Sequence, residues 1–394
     1  MAGTALANFN DFMAATGPKY LTSAEDVINE AVKNTYVLSR FLKGRGTDKV
    51  IQGGKTINDV VLMDESSTYN HYQPNDTFSW TNPQVVDTLE IDWRFSVDHM
   101  SWTDQEVELN MGEGLSREAS KGVYKKLKRI KEMRLWTSML NGMEDDLWKA
   151  PTESGMEAST GTLPYSIPTF IQEIDGGLPQ GFAGTDLQGL GVAATGANYQ
   201  NQVSTYDAND PDGIIGGGTG SSDSLVAAFD EMFLKCQFIP PATKQEYFEN
   251  DNLSRQMIFA SRAGVNQYKR ALRASNDSLI SAQDPAYNNP QYSGIDVIYC
   301  GALDTAAVYS NDDGSGTHTG FHAEDSATAA FTGSRYYWVN ANYMTPVYHS
   351  RRYFEKHDPM RHPNQPFTSV QPVDCWWNLF CNSRKRQGIV RPTA

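Results

Sequence analysis

The chain has 394 residues, with 33 Lys and Arg against 47 Asp and Glu, for a formal net charge of −14. That balance excludes a protein that binds nucleic acid through a net basic field. No run approaches the ~18 consecutive apolar residues of a membrane-spanning helix, and Met1 to Lys19 lacks the basic-then-apolar order of a secretory leader.

The first predicted element is a helix. Thr22 and Glu25 fit a capping box, Val27, Ile28, Ala31, Val32, Leu38, Phe41 and Leu42 recur at helical spacing, and Gly44 and Gly46 stop it. Gly53-Gly54 marks a turn, and Ile57 to Met63 is an apolar run. Leu89, Ile91, Trp93, Phe95 and Val97 alternate with polar residues, the signature of a strand. Between the two runs lies a polar, aromatic stretch from Thr68 to Asp76, so the segment reads as a long β-hairpin with a distant tip. Two strands cannot bury both faces by themselves, so the hairpin needs a further surface in this chain or a neighbour.

Residues 103–148 read as one long helix, strongest over 117–141 because Gly112, Gly114 and Gly122 weaken its first half. Ala150 to Asp223 reads mostly as loop, a length that calls for partners to order it. Asp223 to Phe233 is helical, with Leu225, Val226, Phe229 and Met232 on one face. Met257 to Ala260, Arg262 to Arg273 and Ile295 to Tyr299 form a strand, helix and strand of a small α/β-type domain. Tyr336 to Val339, Met344 to Tyr348 and Val373 to Phe380 are strands.

Charge is segregated along the chain. Ala150 to Glu231 holds no Lys or Arg, whereas Arg117 to Arg134 is rich in both, and Arg384, Lys385, Arg386 and Arg391 close the sequence. The basic helix and the terminal run fit either a solvated face or a sequence-blind contact with phosphate backbone or an acidic surface.

The candidate chemistries are weak. Gly213 to Gly220 precedes a helix but has no Lys in reach, which fits a surface loop better than a phosphate cradle. His318 and His322, beside Glu324 and Asp325, have helical metal-ligand spacing but are flanked by Gly314, Gly316 and Gly320. His357 and His362 have no further ligand cluster in the sequence. Asp98 and His99 are adjacent in a strand and point to opposite faces. Glu144, Asp145 and Asp146 read as solvated surface at a helix end. Cys236, Cys300, Cys375 and Cys381 form no C-x-x-C pair and read as small buried apolar groups in a reducing compartment. No constellation marks an enzyme, and no cofactor or metal is expected.

Three stretches carry a family resemblance: Tyr72-Gln-Pro-Asn-Asp-Thr in the hairpin, Trp93-Arg-Phe-Ser-Val-Asp-His-Met-Ser-Trp-Thr-Asp104 entering the long helix, and Trp377-Asn-Leu-Phe-Cys-Asn-Ser-Arg-Lys-Arg-Gln-Gly388 near the end. With the order of elements, they resemble the major capsid proteins of tailed bacteriophages, over essentially the whole chain. The resemblance implies an α+β, Hong Kong 97-like capsid fold. Residues 1–54 would be the N-terminal arm, 55–100 the extended E-loop hairpin, 101–150 the spine helix of the P-domain, 151–334 the A-domain with acidic Gly-rich loops, and 335–394 the P-domain return strands and C-terminal tail.

The implied function is structural: self-assembly into hexamers and pentamers of an icosahedral shell around double-stranded DNA, in a virion assembled in the host cytoplasm. Implied partners are other copies of the chain, a separate scaffolding protein, a portal, a cement protein and the packaged DNA, with no membrane. Hairpin contacts between subunits would fall on Tyr69, Tyr72, Trp80, Trp93 and Phe95, and genome-facing cations would be Lys125, Lys128, Arg129, Arg384, Lys385 and Arg386. Some members cross-link through an E-loop lysine. Lys121 is the one lysine between Thr56 and Gly122, so no such bond is expected here, nor is N-terminal processing. The competing readings are an encapsulin-like shell around cargo enzymes and a soluble enzyme with a metal at His318 and His322.

Overall fold

A computed structural model describes residues 37–38, 49–62, 69–74, 76–77, 86–111, 117–149, 161–171, 200–207, 224–238, 255–275, 290–304, 308–310, 317–319 and 334–392. In chain order the strands are β1 (Lys49–Ile51), β2 (Thr56–Leu62), β3 (Val86–Asp92), β4 (Arg94–Thr103), β5 (Gln202–Tyr206), β6 (Gln256–Ala260), β7 (Gln291–Tyr292), β8 (Ile295–Tyr299), β9 (Val308–Ser310), β10 (Thr317–Thr319), β11 (Tyr336–Asn340), β12 (Met344–His349), β13 (Glu355–Lys356), β14 (Met360–His362), β15 (Gln365–Cys381) and β16 (Gly388–Pro392). The helices are α1 (Asp104–Met111), α2 (Arg117–Asp146), α3 (Ile167–Phe170), α4 (Leu225–Cys236) and α5 (Arg262–Ser275). The chain divides into two units. One holds the described residues of Phe95–Met143 and Tyr348–Trp376; the other holds those of Thr35–Arg94, Glu144–Val347 and Trp377–Ala394.

In the first unit, β4, β13 and β14 pair with β15. Thr103 and Glu106 form the capping box that starts α1: the Glu106 amide donates to Thr103 Oγ1 at 3.2 Å, and the Thr103 amide to Glu106 Oε2 at 3.1 Å. Glu106 also receives Lys131 Nζ at 2.7 Å, which ties α1 to α2. Lys356 pairs with Glu132, and Arg361 Nη1 with Asp104 Oδ2 at 2.7 Å, so both short strands are braced against the helices. The predicted single helix over 103–148 is thus two helices, and Gly112 and Gly114 fall in the segment between them, outside the described residues. Gly122 is accommodated inside α2. Leu135, Met139 and Met143, four apart, form its buried row.

The second unit is built on a six-stranded sheet in the order β5-β16-β11-β6-β8-β7. β5 runs parallel to β16, and β6 parallel to β8; β11 is antiparallel to both of its neighbours. The predicted strand–helix–strand is β6-α5-β8. Helices α4 and α5 contribute to a core of Tyr206, Leu225, Phe229, Met232, Ile258, Tyr268, Tyr336, Trp338 and Val390. Phe229 is its centre: Tyr268 stacks on it at 5.2 Å, and Tyr336, Tyr292 and Trp338 meet it edge-on at 5.0, 5.5 and 6.1 Å. Ser224 caps α4 by accepting the Ala227 amide.

The stretch from Ala150 to Asp223 was expected to be mostly loop, and its described residues are in part core. Strand β5 sits at the edge of the sheet, and Ile167 to Phe170 are all buried in α3, where Ser166 and Thr169 close a capping box. Asn378 links distant segments: its Oδ1 accepts the Tyr165 amide at 2.8 Å, and its Nδ2 donates to Asp92 O at 2.8 Å. Of the predicted first helix, Val37 and Leu38 are described, and they are helical; the rest lies outside the described residues.

Candidate assembly surfaces

The hairpin is real. β2 and β3 pair antiparallel from Thr56↔Asp92 to Leu62↔Val86. Gly53 and Gly54 turn into it with φ of +84° and +107°, a region open to glycine at no steric cost. The pairing sorts the side chains into two faces. Ile57, Leu89 and Ile91 are buried on one, near the base. Val60, Leu62 and Val86 lie on the other, with Leu62 directly opposite Val86, and they are 65%, 68% and 45% exposed. Val60, Leu62 and Val86 thus leave an apolar stripe in water on a two-stranded ribbon.

Beyond it, the described tip residues form a turn. The Gln73 amide donates to Asp76 Oδ2 at 2.6 Å, and the Asp76 amide to Gln73 O at 3.1 Å. Tyr69 meets His71 edge-on at 5.1 Å, and both Tyr69 and Tyr72 are exposed. Both are among the contact residues expected from the sequence; Trp80 lies outside the described residues.

Trp93 is a correction. It is buried, and its Nε1 donates to Gly54 O at 3.2 Å, so it anchors the hairpin base within its own chain. The alternating run from Leu89 to Val97 is also two strands. The chain leaves the second unit at Arg94 and enters the first at Phe95. Arg94 is buried, its Nη1 donating to Gly161 O, while Phe95 and Val97 on the next strand are exposed. Phe95 retains one edge contact, with Trp376 at 4.8 Å. Val60, Leu62 and Val86 were not singled out in the sequence, and Val97 was named only as part of the alternating strand. The signal was there: in Thr-Ile-Asn-Asp-Val-Val-Leu, Ile57 and the pair Val60 and Leu62 have opposite strand parity, so both faces carry apolar residues.

The basic candidates separate. Arg129 is exposed on α2 and Lys128 is half-buried there; the Lys125 side chain lies outside the described residues. Arg384 is the second correction. It is fully buried, donating from Nε to Phe170 O at 2.6 Å and from Nη2 to Asn201 Oδ1 at 3.3 Å, so it cannot meet a genome. Lys385 and Arg386 lie over the Phe238 ring at 5.7 and 4.9 Å, and Arg386 also stacks on Tyr343 at 4.1 Å. The predicted tail is therefore woven into the sheet through β16. Glu144, read as solvated, is the third correction: it is buried, and its two oxygens accept the amides of Val37 and Leu38.

Elsewhere, Asp98 Oδ1 accepts the His99 backbone amide at 2.7 Å. His318 lies on β10 opposite Tyr309; His322, Glu324, Asp325 and Gly213 to Gly220 lie outside the described residues. Burial pushes the Cys375 and Cys381 thiols up to about 12 and raises the Tyr268 and Tyr292 phenols, to which the Asp230 charge adds. All four groups are thereby held in their neutral forms.

Among solved structures, the chain is similar to one in the Cyanophage A-1(L) capsid asymmetric unit, with 10% identity over 95% of this chain and 98% of that one and a TM-score of 0.50. It is also similar to chains in the capsid of Myoviridae phage XM1 (10% identity, 95% and 99% covered, TM-score 0.49) and in the mature capsid of bacteriophage PhiM1 (10% identity, 95% and 92% covered, TM-score 0.47). No protein-family model matches the chain, and no curated protein sequence does. At such identity the likeness speaks for the fold alone. The chain has the α+β, Hong Kong 97-like capsid fold expected from its sequence.

Proposed function

We propose that this chain is a structural shell protein, the major capsid protein of a tailed bacteriophage, and not an enzyme. Copies associate into hexamers and pentamers of an icosahedral virion shell that encloses double-stranded DNA and forms in the host cytoplasm. The observation that carries this reading is the apolar face of the β2–β3 hairpin, Val60, Leu62 and Val86, left in water on a chain with a capsid fold. A shell supplies what one chain lacks, because a neighbouring copy can cover that face and a ring of such contacts closes on itself. On this reading residues 1–54 are the arm, 55–100 the E-loop, 101–150 the spine of the P-domain, 151–334 the A-domain and 335–394 the return strands and end of the chain. Tyr69, Tyr72 and Phe95 join the apolar face in the contact. A scaffolding protein, a portal, a cement protein and the packaged DNA are the further partners.

The test is the double variant Val60→Asp, Leu62→Asp. Both side chains are exposed, so their replacement leaves the fold within about 0.5 kcal/mol per site. The wild-type chain should form particles visible by electron microscopy, and the variant should stay as folded monomers or small oligomers in sedimentation. Particles from the variant at wild-type yield, in the conditions in which the wild-type chain assembles, would refute the reading.

A further inference from the structure

The first unit gathers four charged or ligating side chains at one point. Glu355 on β13 and Asp374 on β15 are register partners, and His357 follows just past the end of β13. The ligand atoms of Glu355, His357 and Asp374 all lie within 4.8 Å of one another. Arg352 Nη1 sits among them, 3.1 Å from Asp374 Oδ2, 3.1 Å from His357 Nε2 and 3.5 Å from Glu355 Oε2. A cation thus already occupies the point where the three ligands converge.

Two carboxylates face the one guanidinium there, so the formal charge of the acids is matched only in part. A divalent ion in place of the guanidinium would match it. The donor set, one imidazole nitrogen and two carboxylates, is one that binds Zn²⁺ at about 2.0–2.2 Å, with room for water as a further ligand. In this same position the Arg352 guanidinium carbon lies over the Trp376 ring at 5.6 Å. The partners that would hold the ligands in place are present. Trp376 N donates to Arg352 O at 3.0 Å and His357 N to Pro372 O at 3.1 Å, which fixes the strand edges. The buried Gln371 donates from Nε2 to His357 O at 2.7 Å.

The geometry points to a divalent transition-metal site formed by Glu355, His357 and Asp374, in which Arg352 is a built-in competitor that the ion displaces. Bound metal would clamp β13 to β15. The inference is independent of the shell reading, because every residue in it belongs to one unit of one chain.

The experiment titrates the full-length chain with Zn²⁺ by calorimetry and follows thermal unfolding with and without a chelator. One Zn²⁺ per chain should bind, with a chelator-reversible rise in unfolding temperature, while Mg²⁺, which prefers all-oxygen octahedral sites, competes poorly. Arg352→Gln should tighten binding at least tenfold, and His357→Ala and Asp374→Asn should abolish it. In the wild-type chain Zn²⁺ should also protect His357 from diethyl pyrocarbonate, a readout that needs no variant to fold. Absence of uptake by both the wild type and Arg352→Gln, undiminished binding by His357→Ala, or no protection of His357 would overturn the assignment.

Discussion

Removing the Glu144 carboxylate tests how the chain anchors the segment at Val37. Glu144 is 1% exposed, at the end of α2, and its Oε1 and Oε2 accept the backbone amides of Val37 and Leu38 at 3.0 and 3.1 Å. Both of those residues are buried as well, so the amides have no water to turn to. Hydrogen bonds to a charged group contribute about 1.5–3 kcal/mol each. Glu144→Ala therefore loses about 3–6 kcal/mol from a total that is about 5–15 kcal/mol for an ordinary domain. Glu144→Gln keeps one acceptor oxygen and sets an amide NH₂ against the second donor, so it loses about half as much. Urea unfolding gives the stability change, and hydrogen exchange reads the cause. The Val37 and Leu38 amides should lose protection in the alanine variant, while amides of the β11–β6 pairing keep theirs. A loss under about 1 kcal/mol, with exchange at both amides unchanged, would show that the carboxylate is not their anchor.

Gly388→Ala should destabilise by about 1–3 kcal/mol, the usual range for overpacking. A Cβ there would sit 2.3 Å from Met232 Sδ and 3.2 Å from Gln202 O, and Met232→Ala should cost less in the Gly388→Ala background than in the wild type, since the two sites share one space. The buried thiols give a pH signature. With Cys375 and Cys381 pushed up to about 12, only about 10⁻⁴ of each is thiolate at pH 8, so both should react with a disulfide reagent only after unfolding. Unfolded thiols ionise near ~8.5, so the unfolded state binds fewer protons between there and about 12, and stability should fall as pH rises through that window. Rapid labelling of the native chain at pH 8, or flat stability across the window, would contradict this.

What the sequence revealed was periodicity, and what it concealed was which unit each element joins. The hairpin, α4, β6-α5-β8 and β11 were all legible, because each obeys one period over its whole length. The run from Leu89 to Val97 also obeys one period, yet Trp93 is buried and Phe95 is not. Strand parity fixes which side chains share a face and is silent on whether that face stays covered when the chain crosses from one unit to another. Glu144 and Arg384 failed for a related reason. A charged side chain reads as solvent-facing unless its partners are known, and theirs are 106, 107, 183 and 214 residues away. Strand β5 was hidden in a polar, Gly-rich stretch because its sheet partner, β16, is contributed by the far end of the chain.

The net charge of −14 acquires a physical meaning once the cations are placed. Arg94, Arg335 and Arg384 are buried, Lys131, Lys356 and Arg361 brace the first unit as ion pairs, and Lys385 and Arg386 lie on aromatic rings. These cations are thus committed to the fold, whereas Arg129 and Arg134 are exposed among the described side chains of α2. Each phosphate contact steepens the salt dependence of binding by about one power of salt concentration, so the salt slope would count the cations that meet DNA. Beyond a Debye length of about 8–10 Å the acidic remainder of the chain is screened and neither holds nor repels the duplex. If the chain is a shell protein, it keeps DNA inside by closing around it, and the strength of the particle resides in contacts between copies, which returns the decisive role to the apolar face of Val60, Leu62 and Val86.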